Sequence, residues 1–189
     1  MVIRIIVYMN KKIIGLVGLM ASGKGTVAQY LKKEKGAKVF RFSTPLRDVL
    51  ERLHCEISRT NMQNTSQALR EALGQDLLAK VVANDTKTSQ KEIVVVDGIR
   101  RWQDIKYLKK MDNFILVSLK VDPKIRYERL VARGENEGDK EKTYEEFLED
   151  HKKETEITIP EIMESADRVI NNNGNLEELY KQIDKLISN

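Results

Sequence analysis

The 189-residue chain is poor in several residue types at once: one cysteine, three prolines, one tryptophan and an aromatic share of only 6%. A lone cysteine excludes an internal disulfide framework and fits a reducing compartment. Cys55, in "LHCEIS", has no second Cys or His at metal-site spacing beside it, and is expected as a half-buried small hydrophobe. No apolar run approaches the ~20 residues that cross a bilayer. The opening "VIRIIVY" is too short for that and lacks a cleavage pattern, so residues 1–11 are expected either as an extra edge strand or as the result of a true start at Met9. A cytoplasmic protein with no membrane partner is expected. Neither sign of charge dominates: 33 Lys and Arg stand against 29 Asp and Glu, for a net +4 and a pI near 9.0. The basic residues are dispersed rather than gathered in a run, which suits a small anionic substrate rather than nucleic acid and leaves the oligomeric state open.

What the chain does have is 41% hydrophobic residues, enough for one well-buried core. Short β-rich apolar runs alternate with longer charged amphipathic stretches, the pattern of a parallel sheet covered by helices. Strands are expected at 13–17, 38–42, 93–97, 114–120 and 167–170, and helices at 24–35, 45–54, 66–84, 102–111, 123–133, 144–155 and 176–187. Pro45 and Pro123 stand where a helix's first turn tolerates proline. The stretch 133–143, "RGENEGDKEKT", lacks apolar periodicity and reads as a solvated loop.

Chemistry enters at "GLMASGKGT", 18–26. Gly18, four intervening residues, Gly23 and Lys24 form a phosphate-gripping P-loop, yet the Ser or Thr expected next is Gly25, and Thr26 comes one place late. One residue is a rotation of about 100° on a helix, so Thr26 is no simple substitute as a direct magnesium ligand. The loop amides, the positive end of the following helix and the Lys24 ammonium make an anion cradle at the carboxyl edge of the sheet, where ligands of such sheets bind. The loop thus nominates Gly18, Met20, Ala21, Ser22, Gly23, Lys24, Gly25 and Thr26 for ATP, and the fold class is an α/β three-layer P-loop sandwich of about five parallel strands.

In "EIVVVDGIRRWQD" a buried strand ends in Asp97, placed to hold a magnesium ion through water as a Walker B carboxylate would. Arg100 and Arg101 follow at the same edge, where desolvating two adjacent arginines is costly without an anionic partner. In "VDPKIRYERLVARG", Arg126, Arg129 and Arg133 fall at i, i+3 and i+7, on one helical face that runs into the charged loop. A lid bearing arginines would neutralise a transferring phosphoryl group and exclude water.

These residues resemble the nucleoside monophosphate kinases, whose P-loop carries a glycine after the lysine, as "GLMASGKGT" does. The resemblance covers nearly the whole chain from Lys12, making 12–189 one kinase domain with an acceptor-binding insertion over about 43–90 and a lid over about 133–143. It implies ATP and Mg2+, the metal being held largely by phosphate oxygens and waters, with Asp97 and Thr26 nearby. "FRFSTPLRDVL" is similar to the segment that places a hydroxyl and an arginine on the acceptor phosphate, here Ser43 and Arg47. "DGIRRWQD" resembles the family's DGFPR segment and implies Gly98, Arg101 and Gln103 at the acceptor. "ERLVARG" matches the paired arginines before the lid, implying Arg129 on adenine and Arg133 on phosphate, and "VINNNGNLEEL" implies backbone at Asn173 and Gly174 beside adenine.

Departures narrow the resemblance. The lid arginines that adenylate kinases carry after T-G-E are replaced by "KTYEEFLEDHKKE". The stretch 56–85 is longer than in an ordinary adenylate kinase and is similar to dephospho-coenzyme A kinases and phage-type deoxynucleoside monophosphate kinases; its Arg70 is expected to face phosphate. The DxPLLFE-like segment of the former is missing, and no NKxD follows the fourth strand, which disfavours a regulatory GTPase. The expected reaction is transfer of the ATP γ-phosphoryl group to a small anionic acceptor, with Lys24, Asp97, Arg100, Arg101 and Arg133 as its catalytic set. A kinase of dephospho-coenzyme A or another small metabolite, and an ATPase acting as an assembly factor, stay open as alternatives.

Overall fold

The computed structural model describes residues 11–134, 138–152 and 156–188. Five parallel strands form one sheet: β1 (Lys12–Val17), β2 (Lys38–Arg41), β3 (Ile93–Asp97), β4 (Phe114–Lys120) and β5 (Arg168–Asn171), in the order β2-β3-β1-β4-β5. The central strand β1 lies between β3 and β4, with Leu16 opposite Asp97 on one side and Val17 opposite Ser118 on the other. That order puts the end of β1 beside the strand end that carries Asp97.

Period-2 side-chain alternation sends each strand into two cores. Ile14, Leu16, Val95, Val117, Leu119 and Ile170 point to one face, covered by α1 (Lys24–Glu34) and α9 (Leu176–Ser188) through Val27, Leu31, Leu179 and Ile183. Val17, Val96 and Leu116 point to the other, covered by α2 (Thr44–Arg52), α4 (Leu77–Thr88) and α8 (Ile159–Glu164) through Leu46, Val82 and Ile162. The remaining helices are α3 (Arg59–Leu73), α5 (Trp102–Ile105), α6 (Pro123–Arg133) and α7 (Tyr144–Asp150). Pro45, Pro123 and Pro160 all stand in a helix's first turn.

The strands follow expectation within a residue or so; the helices differ in several places. The single helix expected over 66–84 is two, α3 and α4, broken at Gly74, whose φ of +105° no helix accommodates. The helix expected over 102–111 is the one-turn α5 followed by a 3-10 turn at Leu108–Lys110. Helix α8 was not expected, and it buries Ile159 and Ile162 against the core. Cys55, expected half-buried, is exposed, because it lies beyond α2 in a segment that packs on nothing. The loop after α6 is not wholly solvated either: Asp139 is buried. The helix expected over 144–155 stops at Asp150, capped by His151, and α3 begins at Arg59 rather than at 66. The extra edge strand expected before Lys11, the middle of the expected lid (135–137) and residues 153–155 lie outside the described residues. Among the described residues no helix is long and apolar enough to cross a membrane.

Candidate active site

The P-loop leaves β1 at Val17 and turns into α1 at Lys24. Ala21 adopts a left-handed backbone (φ +59°), a costly conformation for a residue with a side chain, and Gly23 follows at φ +92°. A side chain at Gly23 would meet the Asn172 amide nitrogen at 2.3 Å. That amide earns its place: Asn172, buried at the end of β5, donates from Nδ2 to the Ser22 carbonyl at 2.9 Å and ties the loop to the far side of the sheet. At Gly25 a side chain would meet nothing within 4 Å. The fold itself therefore places no demand on the glycine that replaces the expected hydroxyl.

Lys24 bends back over the loop, donating to the Gly18 carbonyl at 2.5 Å and the Leu19 carbonyl at 3.1 Å. Burial pulls its ammonium down to about 8; Asp97 and Glu156 oppose the shift, and Arg100 and Arg126 add to it. Asp97 accepts from Arg41 Nε at 3.2 Å, and buried Glu156 pairs with Arg100 at 3.3 Å. Four cations (Lys24, Arg41, Arg100, Arg126) are thus gathered about two carboxylates (Asp97, Glu156) at the mouth of the loop. Such a surplus attracts a polyanion. Arg41 and Glu156 escaped sequence reasoning. Arg41 stands opposite Asp97 in the β2–β3 register, so it was within reach of a strand alignment; Glu156 follows a charged run and offers no such signal.

The arginine stripe of α6 divides. Arg126 is buried, donating from Nε to the Val121 carbonyl and from Nη1 to the Met20 carbonyl, both at 3.3 Å, and lying over the Phe147 ring. It is a strut beneath the loop rather than an arginine projecting from a lid. Arg129 donates to the Gly174 carbonyl at 3.4 Å. Together with Gly23, Thr26, Asn172, Gly174 and Leu176 it lines a cavity of about 610 Å³, within the usual size of a small-ligand site. Asn173 turns away from it, its side chain accepting from the Asp122 backbone at 2.8 Å. Arg133 ends α6 and is exposed.

On the other side, Asp104 accepts from the backbone N–H groups of Arg100 and Arg101 at 2.9 and 3.0 Å, fixing the turn after β3. Burial raises its carboxyl, and Arg70 and Arg101 work against that. Arg70, near the end of α3, is close enough to feel the Arg101 charge; burial and then that charge lower the Arg70 guanidinium, whose Nε is buried without a hydrogen-bond partner. Arg70 and Arg101 thus stand within electrostatic reach of each other and of Asp104. Arg47 and Gln103 are exposed, Ser43 is half-buried just before α2, and Gly98 makes the turn with φ +92°. Arg47 has no ion-pair partner among the described residues.

The comparisons agree with this architecture. A family model described as an AAA domain matches residues 14–157. A UPF0200 protein of Sulfurisphaera tokodaii is 33% identical over 176 residues, covering 93% of this chain and 96% of its own length, and one of Pyrococcus horikoshii is 33% identical over 181 residues with the same coverage. Among solved structures, TT1252 from Thermus thermophilus superposes with a TM-score of 0.65 at 18% identity, over 95% of this chain and 97% of that one. Shikimate kinase from Bacteroides thetaiotaomicron gives 0.59 at 16%, over 94% and 97%, and a gluconokinase from Sinorhizobium meliloti 0.53 at 13%, over 95% and 93%. At those identities the structural likeness establishes a P-loop, kinase-like fold and nothing finer. The chain belongs to the AAA domain family and to the UPF0200 proteins.

Proposed function

We propose that the protein transfers the γ-phosphoryl group of ATP to a small, phosphate-bearing, nucleotide-like acceptor, a nucleoside or deoxynucleoside monophosphate first among them. The observation that carries the acceptor is the Arg70–Arg101 pair. Two like charges within electrostatic reach of each other, one with a buried unpartnered nitrogen, cost free energy that an incoming anion would return. On the donor side, the cavity between Arg129, Thr26 and Gly174 would take base and ribose, and the loop with Lys24 the phosphates. Arg100 and Arg41 flank the space between the two sides, held by Glu156 and Asp97. Their role is electrostatic: charge on the transferring group is met by cations already in place.

A magnesium ion fits only as part of a nucleotide complex. Among the described residues no three His, Cys, Asp or Glu side chains converge, so the phosphates would supply most of its ligands. Thr26 and Asp97 are the residues that would reach it, and when bound it neutralises phosphate charge.

A hydroxyl-bearing acceptor is the second reading, supported by Asp97, a strand-end carboxylate with one oxygen engaged by Arg41, and by solved neighbours titled shikimate kinase and gluconokinase. The test is a panel of nucleoside and deoxynucleoside monophosphates, dephospho-coenzyme A, shikimate and gluconate with Mg-ATP, the products identified by mass. A phosphorylated monophosphate supports the proposal. A phosphorylated hydroxyl acceptor transfers it to the second reading, and acceptor-independent ATP hydrolysis would favour an assembly ATPase.

A further inference from the structure

His151, at the end of α7, sits under the P-loop without belonging to it. Its Nε2 lies 2.5 Å from Arg126 Nη1, and its Nδ1 lies 2.8 Å from the Phe147 carbonyl. A carbonyl only accepts, so Nδ1 carries the proton; a guanidinium only donates, so Nε2 must offer its lone pair. The geometry therefore specifies the neutral imidazole in one tautomer. The ring also stands edge-on to Phe147, 4.8 Å between centroids, while Arg126 lies over the same phenyl ring.

We propose that His151 is a positioning residue for the phosphate loop, acting through Arg126, and that it does so only while uncharged. The nitrogen of Arg126 that meets His151 also donates to the Met20 carbonyl, immediately before the left-handed Ala21. A strained turn persists only where its surroundings over-determine it, and beside Asn172 on the Ser22 carbonyl and Lys24 on those of Gly18 and Leu19, one of the constraints is a guanidinium that His151 and the Met20 carbonyl engage together. Protonating Nε2 would replace an acceptor with a second cation facing Arg126 at hydrogen-bond distance. Among the described residues the charged and titratable groups around the contact do not compensate. Arg126 comes from α6; Lys24, from α1, is close enough to feel its charge; Tyr144, on α7, lies near Arg126; and Glu156 is already paired with Arg100. On α7 itself, Asp150 is bonded to Lys142, and Lys152, just past its end, pairs with Glu149. Acidification would thus release Arg126, and with it the Met20 carbonyl, coupling proton binding at α7 to phosphate binding at the loop.

The inference rests on the loop binding nucleotide, and its test separates the two. ATP affinity is measured at pH 8 and pH 5.5 for the parent and for His151→Gln, whose side chain cannot charge, and the parent's imidazole nitrogens are read by long-range proton–nitrogen NMR. His151 is told from His54 by its loss in the variant. The parent's affinity ratio between the two pH values should exceed that of His151→Gln by about tenfold, an ordinary size for coupling between sites, and the NMR should show His151 protonated on Nδ1 at pH 8. Equal ratios in a parent that binds ATP would overturn the inference and leave the nucleotide reading standing, as would a His151 protonated on Nε2 or on both nitrogens at pH 8. A parent that binds no ATP at either pH would overturn both.

Discussion

Nucleotide binding should draw a proton from solution near pH 8. The perturbed group is Lys24, whose ammonium burial pulls from 10.5 to about 8 despite the help of Asp97 and Glu156. A triphosphate settling against it favours the charged form. At pH 8 about half of the free molecules carry that proton and nearly all bound ones do, so uptake should be about 0.5 proton per nucleotide, falling to about 0.1 at pH 7 and rising to about 0.9 at pH 9. Calorimetric titration in buffers of differing ionisation enthalpy reads this number directly. The same shift has a consequence for the free protein. Because the folded form holds Lys24 less protonated than the unfolded chain, stability rises with pH between about 8 and 10.5, by an amount on the order of 3 kcal/mol. Below pH 8 the cost is present in full, so Lys24→Met should stabilise the free protein at pH 7 while removing both nucleotide turnover and the pH-dependent proton uptake. Uptake that is absent in the parent between pH 7 and 9, or that survives in Lys24→Met, would refute the reasoning.

Other expectations follow from single contacts. Arg70→Met should leave the free protein as stable or about 1 kcal/mol more so, since it removes a partly buried cation set against Arg101, yet raise the acceptor KM roughly ten- to a hundredfold; thermal unfolding and steady-state kinetics on one preparation check both signs. Asn172→Ala strips the Ser22 carbonyl of its buried donor and should cost about 1–3 kcal/mol, seen in denaturant unfolding together with weakened ATP binding. Gly25→Ala meets no neighbour and should add about 0.5–1 kcal/mol as a helix substitution. Lost turnover in that more stable protein would assign the glycine to the ligand, and full turnover would leave it without a function.

How far the sequence disclosed this depends on whether a signal is local. Strands β3 and β4 could be placed to the residue because a strand buried on both faces is a nearly continuous apolar run with a polar stop, Asp97 after IVVV and Lys120 after FILVSL, whose one polar residue is Ser118. The P-loop was legible for the same reason: every part of it lies within nine residues, 18–26. The break between α3 and α4 was harder, since leucines and alanines keep helical spacing across "EALGQDLLAK" and only the left-handed Gly74 interrupts them. The three α6 arginines shared one spacing but not one fate. Periodicity put them on a face, whereas the partners that bury Arg126, namely Met20, Phe147 and His151, come from elements far apart in the chain.

The two halves of the proposed site also treat charge differently, and the difference suits what each is proposed to bind. Around the phosphate loop and the space beside it the cations are constrained in place: Arg41 by Asp97, Arg100 by Glu156, and Arg126 by two carbonyls and an imidazole. That arrangement needs no ligand to hold it and can present a fixed field to a triphosphate, the condition under which electrostatic stabilisation costs no reorganisation. On the acceptor side Asp104 is engaged by two backbone N–H groups, so its charge goes into the turn as well as into Arg70 and Arg101. Arg70 and Arg101, each within reach of the other's charge, are then left under-compensated, and on the proposed reading a dianionic acceptor group would neutralise them where a neutral one would not. If the proposal holds, selectivity for an anion is built from repulsion within the protein, and the acceptor should stabilise the parent more than it stabilises Arg70→Met.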